Sequence, residues 1–446
     1  LPILTRIFTP YEFGIISLMT AFQTILIILI NFGLEVSVSY FFFSLPEMRK
    51  ETISSTIHIN ILIFLIIIVF FGVFGKDLFF PNIDQFIVYA VIITSLISTI
   101  FTTLMQIFRF THKPIPLITI SAIQSLFSGI LVIIICGEFG GSLKDFFFIN
   151  LATNFIFLII IFFIFRNYIS FRVLQIPFYL RIIKFGFPTV FGGITTYLIN
   201  FTDRWMIDKI LSKEKLGIYG VGLSVAGAFE ILISSVMTAF LPYSLEIIKK
   251  YEENRGEIDR RLNILWRIYS GGSLLLVIFS IFFAEFFFLF VQKDYITGKY
   301  IVPFMVIKAV LFGGTYFSSL GTWKKEKTYL YSVSVFLGGV SNIVLNFLFI
   351  PILGIVGASL ATAISMLIAL TASFVFSQKV WKINFGFSRP ILHLLISFAL
   401  SFAYMKLNFS VTLILCFLSS AIAILTTFRK DEINFALEQF RNRNVL

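Results

Sequence analysis

Charge is scarce in this chain. Asp, Glu, Lys and Arg make up 13% of its 446 residues, against 58% hydrophobic residues and a mean hydropathy of +0.97. A soluble domain of that length needs far more polar surface, so that class is excluded. Cysteine is almost absent. Cys136 and Cys416 lie in different apolar stretches, match no metal or redox spacing, and are read as buried packing residues. The three histidines, His58, His112 and His393, are too scattered to form a ligand cluster, so no metal site is expected. Walker loops, nucleophile elbows and zinc signatures are missing. The glycines of "GEFGG" and "FGGIT" fall in a loop or inside an apolar span, where a phosphate cradle is not expected. No basic region precedes an apolar segment at the start, so no signal peptide is expected, and Leu1 to Phe8 reads as the end of a helix whose start is missing.

What is present is long apolar runs, such as "INILIFLIIIVFFGVF" from Ile59 to Phe74. About 20 such residues cross a ~30 Å hydrocarbon core. Lipid requires backbone polar groups to be satisfied within the chain, and runs without period-2 alternation select helices over a barrel. The spans read as 12–43, 52–74, 85–108, 117–136, 146–165, 181–210, 216–245, 264–291, 301–323, 329–350, 355–377, 390–407 and 410–428. With the remnant at 1–8 restored they predict an all-α polytopic membrane protein of fourteen spans. The net charge of +12 resides mainly between spans. Alternate loops, from Arg49 and Lys50 through Lys324, Lys325 and Lys327 to the tail, hold 23 basic residues; the opposite set, including Lys76, Lys144 and Lys293, holds 8. That bias places the richer loops and the C-terminus in the cytoplasm and makes nucleic acid an unneeded explanation.

An internal echo suggests duplication. "YEFGIISL" at Tyr11 resembles "EKLGIYGV" at Glu214, and "FGGSLKDFFF" at Phe139 matches "LGIVGASLAT" at Leu353 in position. Two pseudo-symmetric six-helix bundles are predicted: an N-terminal lobe at 1–165, a cytoplasmic linker at 166–180, a C-terminal lobe at 181–388, two added helices at 389–428 and a cytoplasmic tail at 429–446. Repeats of this kind are typical of transporters, with the substrate route between halves.

Polar residues within the spans mark candidate sites. Asn31 and Glu35 share a stripe of the 12–43 span; Thr196, Asn200, Asp203 and Arg204 share a face of the next lobe's first span. Glu230 and Ser234 lie on the following span, and Lys308 and Thr315 on 301–323. Helix packing is the alternative for the hydroxyl and small residues. The ionisable ones are costlier, roughly 2.5–3.5 kcal/mol each in lipid, and usually face a cavity or a partner. Glu230 sits about 14 residues into its span, roughly 21 Å, too deep for a short side chain to reach water. Lys308 lies about 7 residues in, a depth from which a lysine also snorkels.

Three stretches carry a family resemblance: "LPILTRIFTPYEFGIISLMTAFQTILIILINFGLE", "TDRWMIDKILSKEKLGIYGVG" and "NFLFIPILGIVGASLATAIS". They resemble bacterial polysaccharide biosynthesis proteins, the lipid-linked oligosaccharide flippases of the multidrug/oligosaccharidyl-lipid/polysaccharide (MOP) exporter superfamily, which also holds the MATE transporters. The resemblance implies two six-helix lobes plus two helices, in the bacterial cytoplasmic membrane. It implies alternating-access transfer of an undecaprenyl-pyrophosphate-linked oligosaccharide, such as an O-antigen repeat unit, to the outer leaflet. Cations would hold the pyrophosphate, with Arg204, Lys308 and Arg6 in that role. Acids would couple to a proton or sodium gradient, with Glu35, Asp203 and Glu230 in that role; Asn31, Thr196, Asn200, Ser234 and Thr315 would line the cavity. No other cofactor is implied. The implied partners are the lipid-linked sugar, membrane lipids and polysaccharide assembly proteins, around a monomer. A peptidoglycan lipid-precursor flippase and an ion-coupled multidrug exporter of the same superfamily are the alternatives. An enzyme is not expected, because the longest outer connections, such as Gly75 to Asp84, are about ten residues.

Overall fold

The computed structural model describes residues 1–170 and 176–427, apart from the Lys76 side chain. Part of the predicted linker and the tail from 428 onward therefore lie outside the described residues. The described residues contain helices and no strands. They are α1 (Leu4–Ile7), α2 (Pro10–Asn31), α3 (Leu34–Ser44), α4 (Arg49–Phe74), α5 (Gln85–Phe110), α6 (Pro114–Val132), α7 (Leu143–Phe165), α8 (Ile176–Gly186), α9 (Pro188–Ile210), α10 (Lys213–Lys250), α11 (Arg255–Phe287), α12 (Val302–Ser318), α13 (Leu320–Lys324), α14 (Tyr329–Val380), α15 (Ser388–Lys406) and α16 (Phe409–Thr427).

Eleven described helices are long and apolar enough to cross a membrane, or twelve if α8 and α9, bent by 41°, form one span. The protein is a multi-pass membrane protein. The 52 residues of α14 would be about 78 Å long at ~1.5 Å per residue, more than twice the hydrocarbon thickness. The helix is interrupted at Gly354, whose φ of 60° and ψ of −138° are non-helical. Dividing α14 there recovers the separate spans expected at 329–350 and 355–377.

Other expected spans are broken by the backbone. The 12–43 run begins at a capped end: Thr9 caps α2, its hydroxyl accepting from the Glu12 N–H at 3.3 Å while the Glu12 carboxylate accepts from the Thr9 N–H at 2.9 Å. It then breaks at Phe32 and Gly33, both left-handed with φ of 49° and 74°. The break lets Gly33 meet Gly186 at the end of α8: a Cβ on either glycine would overlap the other's carbonyl. Ser37 on α3 ties the contact by donating to the Ile182 carbonyl at 2.8 Å. Likewise the 301–323 run divides at Ser319 into α12 and α13.

The described residues form two compact units, one within Arg6–Tyr197 and one of Leu1–Thr5 with 198–427. The division falls within α9, because α8 packs on α3 and Gly193 of α9 packs on Ile28 of α2. In the N-terminal unit, Val38, Phe42, Ile53, Leu104, Ile107, Phe157 and Ile161 form a core shared by α3, α4, α5 and α7. Asn154 of α7 accepts from Ser98 of α5 and Gln124 of α6, each at 3.2 Å, supplying the polar adhesion that apolar packing alone lacks in lipid.

In the C-terminal unit α12 is buried along nearly all its length, and α10, α11 and the second half of α14 pack around it. A smaller cluster of Leu274, Ile278, Ile281, Leu400 and Cys416 joins α11, α15 and α16.

Candidate functional site

The buried helix α12 carries the deepest cation. Lys308 is 4% exposed, and its Nζ lies 2.9 Å from the Glu230 Oε1 on α10. The two partners differ in access: the Lys308 side chain is 5% exposed and that of Glu230 44%. The ammonium is thus removed from solvent while its counter-charge keeps one face open. A buried charge of this kind depends on its partner, since leaving it unpaired forfeits hydration with nothing in return.

Asp203 joins the same region. It is fully buried on α9 and accepts two hydrogen bonds, from the Tyr219 hydroxyl on α10 and from the Arg204 N–H at 2.8 Å. Its carboxylate is close enough to Lys308 for their charges to interact. Tyr219, itself fully buried, also lies against Met305 of α12 and the Thr362 side chain of α14. From Thr362 the polar groups continue: Asn342 donates to Thr362 at 3.2 Å and to Ser365 at 3.3 Å, and Asn346 donates to Asn342 at 2.9 Å. A polar network therefore runs from Glu230 through Lys308, Asp203 and Tyr219 to Asn346, crossing α9, α10, α12 and α14 inside one unit. It fixes the Asp203 carboxylate and the Lys308 ammonium in a low-dielectric interior, where electrostatic interactions are strong, with the Glu230 carboxylate at its half-open end.

Of the residues singled out from sequence, Lys308, Glu230 and Asp203 come together, and Arg204 adjoins them through its backbone. The Arg204 guanidinium stacks over the Phe201 ring at 4.7 Å, and Asn200 is half-buried one turn before it. Thr315 is buried on α12, its hydroxyl donating to the Phe312 carbonyl at 2.6 Å, and Ser234 on α10 donates to the Ile231 carbonyl at 2.9 Å. The others belong to the N-terminal unit. Arg6 is exposed on α1, and Thr196 is exposed on α9 with its hydroxyl turned back to the Gly192 carbonyl. Glu35 is exposed in the first turn of α3, where its charge suits the helix N-terminus. Its N–H donates to the Asn31 side chain at 3.1 Å. Sequence reasoning did not select Tyr219, Asn342, Asn346 or Thr362. The i, i+4 pair Asn342 and Asn346, inside an apolar run, was the available signal.

The model of the family described as polysaccharide biosynthesis protein matches residues 1–248. The chain belongs to this family. The matched region contains Arg6, Glu35, Asp203, Arg204 and Glu230, whereas Lys308 and the Asn342 network lie beyond it. Among solved structures, a lipid II flippase, MurJ, in an inward closed conformation is 17% identical with a TM-score of 0.62, covering 94% of this chain and 97% of its own. An inward-facing multidrug resistance MATE family transporter of the MOP superfamily is 12% identical with a TM-score of 0.69, covering 85% and 92%. A MATE transporter of Vibrio cholerae is 14% identical with a TM-score of 0.51, covering 84% and 95%. Comparison with curated proteins found no match. The likenesses give the family member a MOP-type fold, in agreement with the two bundles and added helices expected from sequence.

Proposed function

We propose that this protein is a flippase that carries an undecaprenyl-pyrophosphate-linked oligosaccharide from the cytoplasmic to the outer leaflet by alternating access. The observation that carries the reading is the buried Lys308 paired with the half-open Glu230, in a chain of the polysaccharide biosynthesis family. A pyrophosphate is a polyanion, and a cation held in a low-dielectric interior recognises it strongly. In this reading Lys308, with Arg204 and Arg6, serves the pyrophosphate, while Glu230, Asp203 and Glu35 serve a proton or sodium gradient. Asn31, Thr196, Asn200, Ser234 and Thr315 offer polar contacts to the sugar. The reading includes no bond-breaking step, so no catalytic residue is assigned.

Proteoliposomes containing the protein and undecaprenyl-pyrophosphate oligosaccharide in both leaflets test it. Protein-dependent access of the inner pool to an external sugar-modifying enzyme, reduced in Lys308→Ala and Arg204→Ala, supports the assignment. Normal flux in both variants removes the cationic site. The full-length likeness to a lipid II flippase motivates a second reading, a peptidoglycan lipid precursor as cargo. Lipid II replacing the oligosaccharide carrier in the same assay separates the two. Absence of flux for both cargoes, with and without an ion gradient, would point to small-molecule export.

A further inference from the structure

The Glu230–Lys308 pair lies at one end of a longer seam on the C-terminal unit. On α12, Lys308, Phe312 and Tyr316 recur every four residues and keep to one stripe, as Glu230, Ser234 and Thr238 do on α10. The two helices run side by side in the same direction. Beyond the ion pair the Phe317 ring packs on that of Phe240, with centroids 4.0 Å apart. That register sets Ser234 beside Phe312 and Thr238 beside Tyr316. Although α12 is buried along nearly all its length, Phe312 and Tyr316 are half-buried, and Thr238 is exposed. We propose that this seam binds the first sugars of the carried glycan, those next to the pyrophosphate. Phe312 and Tyr316 are the ring platforms, and Ser234 and Thr238 accept from the sugar hydroxyls. The proposal rests on the flippase reading above and adds the part of the cargo that the protein tells apart.

The seam does not suit lipid. The Glu230 side chain is 44% exposed, and a carboxylate within a span almost always fronts a polar space. Its two rows differ in chemistry. Along α10 the Ser234 hydroxyl donates to the Ile231 carbonyl at 2.9 Å, and the Thr238 hydroxyl to the Ser234 carbonyl at 2.8 Å. Both hydrogens are used within the helix, so these oxygens, with the open side of the Glu230 carboxylate, are left as acceptors. Along α12 the Phe312 and Tyr316 rings stand at 87° with centroids 6.0 Å apart, one offering a face where the other offers an edge. Tyr331 of α14 reaches the same level, its hydroxyl 3.4 Å from the Thr315 Oγ1.

A pyranose matches both rows at once. Its C–H face is apolar and lies flat on an aromatic ring, while its rim of hydroxyls donates to the acceptors. An acyl or polyprenyl chain has no donor for the α10 row. A cation would also stack on the rings, and the Lys308 ammonium one turn away opposes it. The order along the seam is that of the cargo. Lys308, the cation assigned to the pyrophosphate, comes first, and Tyr316 follows about 12 Å later at ~1.5 Å per residue, the length of a disaccharide.

The full chain in mild detergent is titrated with three probes: undecaprenyl pyrophosphate, the same carrier bearing one N-acetylglucosamine, and the carrier bearing a disaccharide. The wild type is expected to bind the disaccharide carrier about tenfold more tightly than the bare one. Tyr316→Leu, which keeps apolar bulk and removes the ring, should erase most of that preference. Tyr316→Phe keeps the ring and should retain it to within about threefold. Thr238 is exposed, so Thr238→Trp fills the seam opposite Tyr316 without burying new bulk. It should exclude the disaccharide carrier and still admit the single sugar. The readout is a ratio between carriers, which a general loss of stability does not move. Equal affinity for bare and sugar-bearing carriers in the wild type overturns the proposal and leaves the flippase reading standing. A preference that survives Tyr316→Leu in a folded protein does the same. Failure of all three carriers to bind overturns both. Binding of ethidium that depends on Tyr316, with no sugar preference, overturns the proposal by assigning the seam to cations.

Discussion

The Glu230–Lys308 pair predicts an asymmetry between its two partners. Lys308 is 5% exposed at its side chain, so removing Glu230 leaves an ammonium with no route to water. Glu230 is 44% exposed, so removing Lys308 leaves a carboxylate that the protein does not enclose. A fully buried pair broken from one side costs about 3–5 kcal/mol, and an exposed pair about 0–1 kcal/mol. The mixed burial here, with Asp203 remaining near Lys308, sets the expected loss for Glu230→Gln at about 2 kcal/mol, a factor of ~30 in the folded ratio. Lys308→Met should cost under ~1 kcal/mol, since an unbranched apolar chain fills the same space. In the double variant the loss should return close to that of Lys308→Met, because the stranded charge is gone. Denaturant unfolding of the purified protein in a fixed detergent measures all three, and the double-mutant cycle extracts the coupling. Equal losses for the two single variants, or a double variant as unstable as Glu230→Gln, would refute the argument from unequal exposure.

Three further outcomes are expected. Gly33→Ala and Gly186→Ala should each cost about 3 kcal/mol or prevent folding, because the new Cβ overlaps backbone across the α3–α8 contact; Gly72→Ala, with open space around it, should be neutral or slightly stabilising in the same thermal unfolding assay. Tyr219→Phe should lose about 1–3 kcal/mol, since it strips a hydrogen bond from the buried Asp203, and the ion dependence of flux should change with it. Outside the spans, the hydrogen bond and charge of Lys324 hold the Glu252 carboxyl below its ordinary pKa. A depressed pKa stabilises the folded state above the ordinary glutamate range, and that contribution disappears as pH falls through the lowered value. Melting curves from neutral to acid pH should therefore fall more steeply in the wild type than in Lys324→Met, by a small margin because Glu252 is exposed.

The membrane class, the spans and their repetition were legible because lipid imposes one rule on every crossing helix. The breaks were not. Phe32 and Gly33 sit in a run as apolar as its neighbours, and only the close approach of Gly186, more than 150 residues later, gives their left-handed backbone a reason. Hydropathy measures transfer into lipid and is blind to that contact. In the candidate site, Lys308, Glu230 and Asp203 were each conspicuous by the cost of burying charge. Their association was not visible, because Lys308 and Glu230 are 78 residues apart. Tyr219 was hidden for a different reason: an aromatic in an apolar helix reads as packing until the carboxylate opposite its hydroxyl is seen.

The unequal exposure of the pair also bears on how the chain is made. Glu230 leaves the ribosome 78 residues ahead of Lys308, a delay of about 4–16 s at ~5–20 residues per second. During that interval the acid waits alone, and it is the partner that the folded protein encloses less. The lysine, the enclosed one, arrives last and meets a counter-charge already in the chain. Exchanging the two residues would preserve the ion pair in the finished protein and reverse that order, stranding the sheltered charge first.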